Sequence, residues 1–177
     1  MPSRGGAARA DQLATLQTIA HDRFVSAEIE ALLSQWIDPA TGEPTDRDGD
    51  SWNEPARALL REVWRDFSRA KKLPSDFVKR LGRESSIAQQ VWTEARAKND
   101  YPGFLPHLRT MVALKREEAG YLGYTHSPYD ALLDTYEPGA TVSQLQPLFA
   151  ALRERLVPLL ERVLASSVVI EIGRAHV

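Results

Sequence analysis

Nine apolar residues near the end of the chain, Val142, Leu145, Leu148, Phe149, Leu152, Leu156, Leu159, Leu160 and Val163, recur at helical spacing. Positions three and four apart share one side of an α-helix, so this run predicts a long amphipathic helix over 142–164. A half-buried strand would alternate every second residue, and no comparable alternation occurs in the chain. The same spacing predicts helices over 6–24, 26–37, 51–72, 75–98, 104–122 and 128–135. The fold class expected is all-α.

Local signals fit these bounds. Ser51-Trp-Asn-Glu54 and Thr141-Val-Ser-Gln144 have the form of capping boxes, in which hydroxyl and acid or amide satisfy free backbone N–H groups reciprocally. Ser127 before Pro128 places a cap ahead of a proline whose missing N–H costs nothing at a first helical position. Between the helices lie residues that turn chains: 38–50 (DPATGEPTDRDGD), Leu73-Pro74, 99–103 (NDYPG) and 137–139 (EPG). Pro147 and Pro158 fall inside the last helix and should bend it. No internal repeat appears, which argues against a solenoid.

Charge and cysteine content narrow the chemistry. With 22 basic and 24 acidic residues the formal net charge is −2, which leaves no global attraction for nucleic acid or anionic membrane. Cysteine is absent, so disulfides and thiolate metal sites are excluded and zinc could be bound only by histidine and carboxylate. No apolar run approaches the ~20 residues of a membrane helix. The absence of cysteine fits a cytoplasmic location.

No residue stands out as catalytic, cofactor-binding or metal-ligating. A zinc-peptidase helix needs H-E-x-x-H, which puts two imidazoles on one face and a glutamate beside the metal-bound water. None of the four histidines starts that motif. His21 has Val25 at the i+4 position and reads as a partly exposed helix residue; His107 has Met111 there and reads as structural. His126 is a polar loop residue before the Ser127 cap, and His176 lies in the last residues of the chain. Asp46, Asp48 and Asp50 alternate as at the start of a calcium loop, but Gly49 precedes Asp50 and Arg57 stands where the twelfth-position glutamate belongs. Arg69, Lys71, Lys72, Lys79, Arg80 and Arg83 are interleaved with Asp66, Asp76 and Glu84 and read as a solvated surface. Trp36, Trp52, Trp64 and Trp92 mostly fall on apolar helix faces and read as core. There is no G-x-S-x-G elbow, and Gly5-Gly6 lacks the Gly-Lys-Ser/Thr of a phosphate loop.

Several segments carry a resemblance. They are MPSRGGAARADQLATLQTIAH at the start, SSIAQQVWTEARAKNDYPGFLPHL at 85–108, LKREEAGYLGY at 114–124, YDALLD at 129–134, YEPG at 136–139 and LVPLL at 156–160. In this order and spacing the chain resembles the carboxypeptidase Taq family of metallopeptidases. The resemblance implies an all-α, metal-dependent carboxypeptidase that removes single residues from peptide C-termini with zinc or cobalt, and that is a cytoplasmic homodimer. It also implies that the H-E-x-x-H helix and a further glutamate ligand lie outside the matched region, so no catalytic or metal residue is carried onto this chain.

The expectation is therefore a fragment, residues 1–170, incomplete at both ends, with Met1 an internal methionine or a late start. Residues 172–177 (IGRAHV) are what ATCGGAAGAGCACACGTC encodes, the body of a common sequencing-library adapter, and 171–177 read as an artefactual tail. Such a fragment binds no metal, cleaves no peptide and exposes apolar faces meant for the absent part. The alternative expectation is a stand-alone helical interaction module without catalysis.

Overall fold

The computed structural model describes residues 5–45 and 52–166. Helices there are α1 (Gly6–Phe24), α2 (Ala27–Leu33), α3 (Glu54–Ala70), α4 (Ser75–Lys98), α5 (Tyr101–Leu122), α6 (Pro128–Leu133) and α7 (Val142–Leu164). Among the described residues the only extended pairing is an isolated antiparallel bridge between Ile37 and Pro44. The chain is all-α, as its periodicity requires. It divides into two compact units, residues 1–124 and 125–177. The tail at 171–177 and the Asp46, Asp48 and Asp50 loop lie outside the described residues.

In the first unit α1 packs along α4, and α4 along α5. Ala10 and Ala14 on α1 are fully buried, and Ala88 and Ala95 on α4 are buried. A Cβ added at Gly82 on α4 would lie 3.6 Å from the Ala14 Cα, so the two backbones meet at their smallest residues. Ala14 is 0% exposed, which leaves no free space for a longer side chain there. Ala14→Leu should lower the unfolding free energy by about 1–3 kcal/mol, read from urea denaturation followed by circular dichroism.

A second nucleus joins α2 to α3. Leu33, Ile37 and Phe67 are buried together, with Phe24, Ile29, Leu60, Val63 and Trp64 packed against them. α2 stops at Leu33 rather than at residue 37, because the following residues turn so that Ile37 can reach this nucleus. That turn is fixed by polar contacts. Thr45 N–H donates to the Trp36 carbonyl at 2.9 Å, and the Asp38 carboxylate accepts from Ala40 N–H at 2.9 Å and from the Thr41 hydroxyl at 3.1 Å.

Two other helix starts differ from expectation. α3 begins at Glu54, where the Asn53 side chain accepts from Ala56 N–H at 3.0 Å. A start capped by Ser51, which lies outside the described residues, would put Pro55 where the first intrahelical N–H is needed. α5 begins at Tyr101, three residues before the expected Phe104, because Asp100 caps Gly103 N–H at 3.0 Å and Pro102 sits in the first turn.

The second unit is organised by two aspartates. Asp130 accepts from Ser127 N–H at 3.3 Å through one oxygen and from Val142 N–H at 2.7 Å through the other. Its carboxylate thus closes the capping box of α6 and satisfies a free donor at the start of α7. Asp134 accepts from Gly139 N–H at 2.9 Å, and Gly139 takes the left-handed φ of 77° that its turn requires. The expected cap of α7 holds on its glutamine side, with Thr141 N–H donating to Gln144 Oε1 at 3.0 Å. Pro147 and Pro158 lie within α7.

Candidate functional site

The three described histidines, His21, His107 and His126, lie on separate elements. His21, half-buried near the end of α1, lies 3.0 Å through Nε2 from the Leu73 carbonyl, to which that nitrogen must donate because a carbonyl only accepts. His107 is half-buried on α5 and His126 is exposed. Among the described residues no three His, Cys, Asp or Glu side chains are grouped to hold a metal ion. A catalytic zinc takes three protein ligands around an open position, and the described residues alone supply no such set.

The basic segment is exposed, as expected from sequence, at Lys71, Lys72, Lys79 and Arg80, and several of its cations are also paired. Lys71 pairs with Glu30 and lies over the Phe67 ring, and Lys72 donates to the Leu122 carbonyl at 2.9 Å. Arg83 reaches Asp11 and Glu84, both at 2.8 Å. With His21 on Leu73 and the Ser75 hydroxyl on Asp22, these contacts tie the α3–α4 joint to the ends of α1 and α5. Its cations serve internal attachment.

The densest ionic group joins α4 to α5. Arg80 makes a bidentate pair with Glu117 at 2.6 and 3.2 Å, and the Tyr121 hydroxyl donates to the same carboxylate at 3.1 Å. Phe77, fully buried, meets the Tyr121 ring edge-on at 5.2 Å and carries the Arg80 guanidinium at 5.7 Å. The hydrogen bond from Arg80, with that from Tyr121 adding to it, holds the Glu117 carboxyl below its ordinary value of 4.5. The Glu117 carboxylate in turn pushes the Tyr121 phenol up.

The sign for stability follows from these directions. A lowered carboxyl contributes stability that is present above its unfolded value and lost as pH falls through the folded one. A raised phenol contributes stability that is present below its unfolded value and lost as pH rises through the folded one. The group is solvent-exposed, so both effects are small. Glu117→Gln should flatten part of the loss of stability below pH 4.5, measured as Tm against pH beside the unaltered chain.

One cleft, about 210 Å³, opens at the α4–α5 turn and is lined by Trp92, Ala95, Arg96, Asn99, Asp100, Tyr101 and Phe104. Trp92 is 39% exposed with Arg96 over its ring at 5.2 Å, so it is not the core residue expected from its helix face. Trp36, Trp52 and Trp64 do pack inward, Trp36 edge-on to Trp52 at 5.3 Å and Trp64 stacked on Phe67 at 5.6 Å. No group in the cleft has the nucleophile and base arrangement of a catalytic site.

With the geometry so plainly structural, kinship decides the assignment. The family model for the carboxypeptidase Taq (M32) metallopeptidases matches residues 1–173. The chain belongs to the M32 family. Thermostable carboxypeptidase 1 of Thermus thermophilus is 36% identical over 175 residues, a match that covers 94% of this chain and 33% of that protein. The Pyrococcus furiosus thermostable carboxypeptidase 1 is 32% identical over 164 residues, covering 93% and 31%. Among solved structures, that of BsuCP superposes with a TM-score of 0.82 at 30% identity, over 94% of this chain and 32% of its own. The M32 chain thus spans about a third of the length of the relatives it matches. Within it, the segment YDALLD forms most of α6 and its C-cap, and Asp130 and Asp134 accept from the backbone N–H groups of Val142 and Gly139.

Proposed function

We propose that this chain is one part of a metal-dependent carboxypeptidase that releases single amino acids from peptide C-termini, and that the zinc or cobalt of that enzyme is held by residues outside it. One observation carries the reading: the chain matches the M32 model from residue 1 to 173, yet its sequence contains no H-E-x-x-H. Its four histidines are spread along the chain, and the best fixed of them, His21, is committed to a backbone carbonyl. Alone, the chain should be inactive.

The peptide substrate, the homodimeric parent, its cytoplasmic location and the absence of nucleic-acid and membrane partners belong to the same proposal. Two observations agree with it. The basic residues of the α3–α4 joint are turned to internal carboxylates and carbonyls, and no helix among the described residues is long and apolar enough to cross a membrane. A long read of the source DNA past the codon for Ile170 tests the assignment. An open frame that reaches H-E-x-x-H is expected. A stop codon there, with a monodisperse folded product, would favour a metal-free helical interaction module instead.

A further inference from the structure

α7 has no buried residue, and its apolar side is open along its length. Leu148, Phe149, Leu152, Leu156, Leu159, Leu160 and Val163 are between 46% and 59% exposed. At about 100° per residue, Leu145 and these seven fill an arc of about 120°. That is the width of a helix face built for the interior of a fold, wider than the seam of a two-stranded coiled coil. A single facing helix would leave Leu148 and Leu160 at the margins uncovered.

The charges beside the arc say what fits it. Arg155 and Arg162 border one margin and Arg153 the other, while Glu154 and Glu161 lie on the opposite side of the helix. Pairing α7 with α7 of a second copy, parallel or antiparallel, would bring arginine against arginine along the seam. Like charges at flanking positions disfavour such a pair. The complementary partner presents an apolar ridge flanked by aspartate or glutamate.

We infer that the Leu145 to Val163 face of α7 is the docking face for acid-flanked helical surface belonging to the two-thirds of the M32 fold that this chain does not span. The occupant is thus the same polypeptide in the parent enzyme rather than a second copy. The inference rests on the proposed function, and it is carried by the coverage of 94% of this chain against 32% of BsuCP, together with the width and charge of the face.

The chain has no cysteine, which allows a direct test. Leu152→Cys on the face and Glu154→Cys opposite are placed singly in the 177-residue chain, and in a chimera in which this chain replaces the matching third of the Thermus thermophilus enzyme. Maleimide labelling at each site is timed by peptide mass spectrometry over a range of protein concentrations. Both sites should label fast in the chain alone at high dilution. In the chimera the site at 152 should slow by roughly tenfold or more at every concentration while the site at 154 stays fast. Protection at 152 that appears in the chain alone and disappears on dilution would assign the face to a second copy and overturn the inference. A folded, peptide-trimming chimera whose site at 152 labels as fast as 154 would overturn it and leave the M32 reading standing. An unsubstituted chimera that does not fold would sink the proposed function, and the docking inference with it, while the family match over residues 1–173 stands.

Discussion

Phe67→Ala is expected to cost about 3–5 kcal/mol of unfolding free energy. The ring is 1% exposed and is the meeting point of three elements: α1 through Phe24, edge-on at 6.0 Å; the α2 end through Leu33 and Ile37; and its own helix through Trp64, stacked at 5.6 Å. Truncation removes the transfer energy of the ring and leaves a cavity whose walls belong to different helices, so they cannot collapse together. It also removes two aromatic contacts and the ring beneath the Lys71 ammonium. Domains of this size are stable by only ~5–15 kcal/mol. Urea denaturation should show the midpoint falling steeply, and a shift corresponding to less than about 1 kcal/mol would contradict the packing described.

Most of the fold was legible because helical periodicity is local. α1, α4 and α7 have the bounds expected from spacing and caps. The errors have a common source. The 51–54 stretch reads as a capping box and 99–103 as a separator, yet Pro55 and Pro102 both lie in first turns, where proline is tolerated and a preceding Asn53 or Asp100 does the capping. The shortening of α2 was not legible at all, since it depends on Ile37 being drawn to Phe67 and to a bridge with Pro44, contacts distant in sequence. The exposure of the basic segment was legible but its pairing was not, since Lys71, Lys72, Arg80 and Arg83 meet Glu30, Leu122, Glu117 and Asp11 on other elements.

The site was legible in a different way. Residue chemistry pointed to no ligand set, and in the structure His21 meets the Leu73 carbonyl while Asp130 and Asp134 accept from backbone N–H groups. The YDALLD segment that carries the family likeness does so as a joint, where a carboxylate at position 130 is needed by two helix starts at once.

The second large effect is all-or-none. A carboxypeptidase of this kind owes its rate to a metal that lowers the pKa of bound water to roughly 7, and a site short of protein ligands neither keeps the metal nor positions that water. Adding zinc or cobalt to this chain should leave it without stoichiometric metal, since the four histidines are scattered and cysteine is absent. The decisive measurement is the release of C-terminal amino acids from a test peptide by the purified chain, with zinc or cobalt added and with a chelator as control, alongside metal content by mass spectrometry. The expected result is no release above background and no metal at one equivalent; robust, chelator-sensitive trimming would contradict the proposed function.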